Sequence, residues 1–253
     1  ECPECGSSDI KRIGFGTERV VKVLLEYLPE ARIARLDSDV GKVKNNVAKT
    51  LREFREGQYD ILVGTQMIAK GHDFPRVTLV GVVMADAGLI LPSYRASESV
   101  FELVAQAVGR SGRGSLPGEA LIQTYNPQHY AITLGAKQDY EAFYHKEMQE
   151  RRAAKFPPYY YLATILFSGK NEEKTAEAAF EIKQLILAQN FASVDAIGPM
   201  VPYYSMLGDY HRRTVLLRFK TFEPIKAYLN GLIHDLSGKG GVGITVDIDP
   251  LEN

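Results

Sequence analysis

The chain has 253 residues, of which 45% are hydrophobic and 24% are charged, a composition typical of a globular protein with room for two domains. Its 30 Lys and Arg residues against 31 Asp and Glu residues give a formal net charge of −1, which excludes nucleic-acid binding through a uniformly basic surface and leaves only local patches. No run of about 18 apolar residues is present, so we expect no transmembrane helix. We expect no signal peptide either.

The first segment contains both cysteines of the chain, Cys2 and Cys5, in a Cys-x-x-Cys-Gly run. This run is typical of half a tetrahedral zinc site, because the glycine permits a tight turn between two thiolate ligands. The alternative, a thioredoxin-like redox pair, lacks the strand that would precede it. No histidine is spaced to complete the site, so we expect two zinc ligands in a chain that is part of a longer protein. Two cysteines make no disulfide scaffold and favour a cytoplasmic location.

Helix and strand signals alternate from Thr17 to residue 124, which predicts a parallel sheet with helices on its faces. Thr17 is expected to cap the first helix, and the strands at 61–63 and 77–83 are apolar enough to be buried. The predicted helices span 17–28, 43–56 and 97–109, and the predicted strands span 32–36, 61–63, 77–83 and 120–124.

Residues 128–155 are predicted to be helical with a basic end, until Pro157-Pro158 breaks the helix. The elements that follow have the β-α-β-β-α-β order of a split ferredoxin-like domain. They are predicted at 160–167, 172–188, 194–201, 213–219, 222–236 and 244–248. The predicted domains are therefore 1–16, a remnant of a zinc-binding module, then 17–156 and 157–253.

The strongest chemical signal is the run Gln106-Ala-Val-Gly-Arg110-Ser-Gly-Arg113, which ends the third predicted helix. A guanidinium fork suits phosphate oxygens, and the glycines let the backbone approach a ligand closely. An arginine aimed at a γ-phosphate stabilises the charge that develops during phosphoryl transfer. The alternative is a solvated helix end, where the helix dipole favours cations.

A second signal lies earlier, where a predicted strand leads into Thr65-Gln66 and then into Lys70-Gly71-His-Asp73. Ligands of a parallel sheet bind outside the carboxyl ends of its strands. Thr65 and Gln66 are therefore expected to contact a phosphate backbone, and Asp73 can accept from a ribose hydroxyl. The alternatives are turn chemistry for the glycines and a helix cap for Thr65.

Together these two runs resemble motifs V and VI of superfamily 2 helicases, and most closely those of the primosomal replication-restart DNA helicases. The resemblance implies a RecA-like second helicase lobe at 17–156, a parallel sheet with helices on both faces, and then a small α+β ferredoxin-like domain at 157–253. One departure is Ser99, where the family has an arginine, so the role of that arginine is unfilled here. Further similar stretches are 16–20, 35–39, 85–86, 94–98, 197–199 and 246–250.

The resemblance implies a site for ATP with magnesium in the whole protein. Arg113 would be the arginine finger and Arg110 a second γ-phosphate contact. Gln106 would lie in the cleft between two motor lobes, while Gly71 and Asp73 would couple nucleotide to DNA. Cys2 and Cys5 would bind zinc together with cysteines that precede them in the family.

The resemblance also implies DNA contacts. Thr65 and Gln66 would touch the translocating strand, and Lys70 lies in the same run. Cations beside tyrosines later in the chain suit single-stranded or branched DNA, although a strand with one polar face is the alternative. The basic residues predicted to contact DNA are Arg151, Arg152, Arg212 and Arg213.

No P-loop of the G-x-x-x-x-G-K-[ST] type is present, and the glycine-rich run at 238–245 has Ile244 in place of the phosphate-binding lysine. The resemblance implies the C-terminal half of a 3′–5′ DNA helicase for replication restart, and without a P-loop we expect this chain to be unable to hydrolyse ATP by itself. The implied partners of this bacterial, nucleoid-associated monomer are branched and single-stranded DNA, the tail of a single-strand-binding protein, and primosome or helicase-loading proteins. The alternatives are a DNA- or partner-docking module and another superfamily 2 translocase.

Overall fold

The computed structural model describes residues 6, 16–36, 44–65, 74, 76–110, 117–236 and 241–250, without the side chains of 44, 45, 110 and 233–236. Contacts divide the chain into two compact units. The first comprises Glu1–Asp86 with Val100–Asp139, and the second comprises Ala87–Ser99 with Tyr140–Asn253. No helix in the described residues is long and apolar enough to cross a membrane.

The first unit contains two pairs of parallel strands. β1 (Ile33–Leu36) pairs with β2 (Ile61–Gly64), and β3 (Leu79–Val82) pairs with β4 (Glu119–Ile122). Parallel neighbours need a crossover, and the crossovers contain α2 (Lys44–Glu56) and α3 (Ala96–Arg110). The predicted α/β character is confirmed. Within the described ranges, however, the strands form two separate pairs, so one continuous sheet is not confirmed.

The capping residue of helix α1 (Thr17–Tyr27) is Gly16, one residue before the predicted cap Thr17. Gly16 has the extended backbone of a capping residue, and Thr17 is already helical, so the prediction of a Thr17 cap is wrong. Helix α2 ends at Glu56 as predicted, because Gly57 has a φ of +83° that favours glycine. The strand β3 is less buried than predicted. Leu79 is 58% exposed, and exposed residues alternate with partly buried ones along the strand.

The region predicted as one helical stretch from 128 to 155 is two helices. α4 (Tyr130–Lys137) ends at Gln138, which has a left-handed φ of 54°, and α5 (Tyr140–Ala153) follows it. The predicted end of this stretch before Pro157 is confirmed. By its contacts α5 belongs to the second unit, although the sequence places the domain boundary after Phe156.

The second unit is built on an antiparallel sheet of β5 (Tyr161–Gly169), β6 (Asp195–Met200), β7 (Met206–Leu207), β8 (Tyr210–Phe219) and β9 (Val242–Ile248). The strand order is β6-β8-β5-β9, and β7 pairs with β8. Helix α6 (Glu172–Ala188) leads from β5 to β6, and α7 (Phe222–Leu236) leads from β8 to β9; both helices have the predicted bounds. A short strand between β6 and β8 was not predicted.

One face of this sheet carries the core of the second unit. Alternate residues of a strand point to the same face, so Phe167, Val215 and Phe219 pack toward α6 and α7. Phe167 and Phe219 are completely buried, and a fully buried phenylalanine stabilises a fold by about 1.5–3 kcal/mol. Ile182 of α6 and Leu229 of α7 complete the cluster from the helix side. The opposite face is also covered near the middle of the sheet, since Leu162 is completely buried and Arg218 donates to the carbonyl oxygen of Ala154, beyond α5.

Candidate functional site

Helix α3 carries the strongest predicted motif. Its C-terminal part is held by the side chain of Gln138, the residue that caps the C-terminus of α4. The Gln138 amide donates to the carbonyl oxygen of Ala105 at 3.1 Å. A Cβ added at Gly109 would lie 2.8 Å from Gln138 Nε2, so glycine is the residue that lets this amide reach the helix. Gln106, one residue after the contacted carbonyl, is partly buried. Sequence reasoning missed Gln138, because nothing local to it indicates a contact with α3.

Many of the residues predicted to bind nucleotide, DNA or zinc lie outside the described residues. Only the backbone of Arg110 is described, as the last residue of α3. The predictions for these residues therefore stay predictions. Those that lie wholly outside are Cys2, Cys5, Gln66, Lys70, Gly71, Asp73 and Arg113.

Thr65 directly follows β2, at the carboxyl end of that strand, and is exposed. This is the edge where ligands of parallel strands bind, so its position agrees with the predicted role. The contact of Thr65 with a DNA strand stays a prediction.

Asp86 ties the carboxyl end of β3 to that of β4. Its carboxylate accepts from the Thr124 hydroxyl at 2.7 Å and from the backbone N–H groups of Tyr125 at 2.7 Å and Asn126 at 3.1 Å. Burial raises the pKa of the Asp86 carboxyl, but these hydrogen bonds outweigh it, so the pKa lies below its usual value. Asp86 is thus an ionised anchor for the loop after β4. The sequence offered this residue only as part of the family resemblance.

The predicted DNA contact Arg151 binds two carboxylates instead. Its guanidinium lies 2.7 Å from Glu98 and 2.7 Å from Glu147, and the Arg151 side chain is 11% exposed. Arg95 also binds Glu98, at 3.3 Å. Burial raises the pKa of the Glu98 carboxyl, but the hydrogen bonds from the two arginines lower it further than burial raises it. These contacts do not support the prediction that Arg151 binds DNA; its neighbour Arg152 is exposed and lies 4.9 Å from the Tyr159 ring.

The predicted pair Arg212 and Arg213 is divided between the two faces of β8. Arg213 binds Glu172, the first residue of α6, at 2.6 Å, and its side chain is 14% exposed. This ion pair holds the pKa of the Glu172 carboxyl below its usual value. Arg212 lies on the opposite face and donates to the carbonyl oxygen of Tyr204 at 3.5 Å. Of the two, Arg212 is the better candidate for a phosphate contact.

Metal binding is not supported by the part of the chain that the structure describes. That part contains no group of three or more His, Cys, Asp or Glu side chains that could hold a metal ion. The two cysteines of the predicted zinc site fall outside it. Two thiolates are half of the four ligands that a structural zinc requires, so their donor chemistry fits the metal only in part.

Two family models match the chain in separate stretches. The Helicase conserved C-terminal domain matches residues 11–115, which include the motif at the end of α3. The Primosomal protein N C-terminal domain matches residues 152–251. The first match confirms that the chain carries a helicase C-terminal domain.

Curated relatives match over almost the whole chain, and those that follow are all replication restart proteins PriA. The relative from Bacillus subtilis is 41% identical over 252 residues, which cover 98% of this chain and 31% of the relative. Identity is 37% over 250 residues in Treponema pallidum (99% of this chain, 38% of the relative). In Haemophilus influenzae it is 30% over 253 residues (100% of this chain, 35% of the relative). The chain spans about a third of the length of the curated relatives it matches.

Proposed function

Because this chain belongs to the PriA family of replication restart proteins over the part that these matches cover, we propose that it is the second motor lobe and C-terminal domain of an ATP-dependent 3′–5′ DNA helicase. The whole protein would recognise and remodel stalled replication forks and direct primosome assembly. The first unit would be a RecA-like lobe and the second a ferredoxin-like domain. The parallel strand pairs and the β6-β8-β5-β9 order support these two assignments.

One observation carries the motor proposal. The run from Gln106 to Arg113 lies inside the stretch matched by the helicase C-terminal domain, and it begins on a helix whose end is held by Gln138. An arginine acts on a transferring phosphoryl group only if its position is fixed before the reaction. The contact of Gln138 with Ala105, five residues before Arg110, supports a helix that is held in place just ahead of the motif. Arg113 and Arg110 would then contact the γ-phosphate of an ATP whose other contacts come from a separate P-loop lobe.

When bound, ATP with magnesium would supply the transferring phosphoryl group and the charge that the arginines balance. Gln106, Gly71 and Asp73 would orient the nucleotide, and Thr65, Gln66 and Lys70 would hold the translocating strand. Zinc would be held by Cys2 and Cys5 with two ligands from outside this chain. This arrangement would couple closure around ATP to movement along DNA.

The test is Arg113→Ala in the complete protein that carries this chain. We expect ATP binding to be retained and DNA-stimulated hydrolysis to fall by roughly 100-fold or more, because the charge at the γ-phosphate is no longer balanced. Arg52→Ala is the matched control, since Arg52 is an exposed residue of α2. Hydrolysis that stays at the unsubstituted rate in Arg113→Ala would remove the arginine-finger assignment.

A second candidate function is a docking module in the second unit. Exposed tyrosines and cations near β7 and β8 favour it, because stacking and phosphate contacts together bind unpaired DNA. The alternative partner is the tail of a single-strand-binding protein or a helicase-loading protein. Titration of fluorescent fork DNA at two salt concentrations separates these cases. Binding that weakens with salt supports DNA, and no binding at low salt supports a protein partner.

A further inference from the structure

We propose that the second unit stacks unpaired DNA bases on an exposed surface formed by Tyr203, Tyr204 and Tyr210 together with Lys170 and Arg212, here named the tyrosine surface. The inference rests on the proposed role in DNA handling and gives it a specific site. It lies at the end of the sheet where β7 pairs with β8, within the second unit alone.

The three rings are accessible to a ligand. Tyr203 is 75% exposed, Tyr204 is 68% exposed and Tyr210 is 45% exposed. The rings of Tyr203 and Tyr204 meet edge to face, with centroids 5.0 Å apart and planes at 89°. In that arrangement the two rings face in different directions, and base stacking requires an open ring face.

Backbone contacts hold this surface in place. The N–H of Arg212 donates to the carbonyl oxygen of Ser205 at 2.9 Å, and the Arg212 guanidinium donates to that of Tyr204 at 3.5 Å. Met206 lies opposite His211 in the β7–β8 pairing, which closes the hairpin. Tyr203 and Tyr204 directly precede this hairpin and Tyr210 begins its second strand, so less conformational entropy is lost when a strand binds.

Cations accompany the rings. The Lys170 ammonium lies 5.9 Å from the centre of the Tyr210 ring, and Arg212 lies on the same face of β8 as Tyr210 because alternate residues share a face. Arg213, in contrast, is neutralised by Glu172 at 2.6 Å. Aromatic rings beside two cations complement a strand of stacked bases and phosphates, whereas an acidic peptide needs the cations but not three exposed rings.

The chain offers a direct probe of stacking, because it contains no tryptophan. Tyr203→Trp places a single indole on the tyrosine surface, and stacking of a base on that ring changes its fluorescence. The ligands are a 15-nucleotide oligo(dT), an abasic oligonucleotide of the same length and charge, and an acidic apolar peptide. We expect the oligo(dT) to quench the tryptophan and the abasic strand to quench it much less.

Alanine variants give the second measurement. Tyr204→Ala is expected to weaken oligo(dT) binding about fivefold or more, as for the loss of one stacked base. Tyr27→Ala is the matched control, because Tyr27 is 81% exposed in the first unit. Arg212→Ala is expected to reduce the slope of log affinity against log salt by about 0.7, the value for one phosphate contact to a single strand.

Three outcomes overturn the proposal. The abasic strand binds as tightly as the oligo(dT), or Tyr204→Ala and Tyr27→Ala have equal effects, or the peptide quenches the tryptophan while the oligo(dT) does not. The last of these would make the surface a protein-docking site. None of them changes the expected effect of Arg113→Ala on ATP hydrolysis, so failure of this inference is distinguishable from failure of the motor proposal.

Discussion

The Arg151 guanidinium donates to the Glu98 carboxylate across 2.7 Å and joins α5 to the first turn of α3. Glu147, one turn earlier on α5, accepts from Nε of the same arginine at 2.7 Å and has a side chain that is 5% exposed. The Arg151 guanidinium also lies 5.2 Å from the centre of the Tyr94 ring. An arginine so fully engaged stabilises the packing of the second unit and has little capacity left for an external phosphate.

We expect Arg151→Met to lower the free energy of unfolding by about 2–4 kcal/mol, because the buried Glu147 and the partly buried Glu98 each lose a 2.7 Å ion pair, although Glu98 keeps its contact with Arg95. The value is below the ~3–5 kcal/mol typical of a fully buried pair, since the Glu98 side chain is 30% exposed. Urea unfolding measures it. Arg152→Met is the matched control and should cost only about 0.5–1 kcal/mol, for its contact with the Tyr159 ring. Equal losses in the two variants would contradict the buried network.

A pH effect is expected from Asp60 in the first unit. Hydrogen bonds from the Arg32 guanidinium and backbone N–H lower the pKa of the Asp60 carboxyl from 3.8 to about 2. A carboxyl whose pKa is lower in the folded state stabilises the fold above its unfolded pKa, and this contribution is lost as the pH falls through the folded pKa. The stability advantage over Asp60→Asn should therefore shrink from pH 4 and vanish near pH 2.

Carboxyl resonances of Asp60 followed by NMR between pH 5 and pH 1.5 give the measurement. Arg32→Met is the control, because removal of the guanidinium should return the titration midpoint toward about 4. A midpoint near 4 in the unsubstituted protein would mean that the 2.7 Å ion pair with Arg32 does not persist in solution.

The elements that the sequence predicted best are those set by local signals. Helix α6 begins after Asn171, whose side chain accepts from the N–H of Lys174, and ends at the predicted residue. The division between α4 and α5 could not be predicted, since Gln138 adopts a left-handed backbone that glutamine seldom adopts. The side chain of the same Gln138 donates to the carbonyl oxygen of Ala105, a contact between residues far apart in the sequence that local signals do not show. The two-residue strand β7 is too short to show a period.

In the candidate site too, local features could be predicted from the sequence, whereas contacts between distant residues could not. The basic end of α5 is visible in the sequence, but the partner that occupies Arg151 is Glu98, 53 positions away. Charge composition alone cannot distinguish an arginine bound inside the fold from one that faces a ligand. The register of β8 separates Arg212 from Arg213, because adjacent strand residues point to opposite faces. That separation follows from which face α6 covers, which only the fold shows.

The amide of Gln138 leads to a prediction about the motif helix. Gln138→Ala should lower the free energy of unfolding by about 1 kcal/mol, because a hydrogen bond to Ala105 is lost. Gly109→Ala displaces the same amide but gains about 1 kcal/mol of helix propensity, so its net effect on stability should be small. Thermal unfolding of the two variants measures both effects. A larger loss in Gly109→Ala than in Gln138→Ala would mean that the amide cannot move aside.

Two glycines of the second unit should respond to alanine in opposite directions. Gly198 has a φ of +115°, which L side chains rarely adopt, and a Cβ there would lie 2.7 Å from the carbonyl oxygen of Thr214 and 3.0 Å from the backbone N of Met200. Both neighbours are backbone atoms of paired strands, so they cannot move aside as a flexible side chain can. We expect Gly198→Ala to cost more than about 2 kcal/mol of unfolding free energy.

Gly231 lies within α7 and is exposed, and a Cβ there would have no neighbour within 4 Å among the described residues, apart from the adjacent backbone of the helix itself. Gly231→Ala should therefore raise the free energy of unfolding by about 0.5–1 kcal/mol, because alanine loses less backbone entropy than glycine on entering a helix. Urea unfolding of both variants under the same conditions shows whether each substitution raises or lowers the free energy of unfolding. If Gly198→Ala were neutral, the β6–β8 pairing around residue 198 would have to be looser than its contacts indicate, whereas a loss in Gly231→Ala would point to a hidden contact on α7.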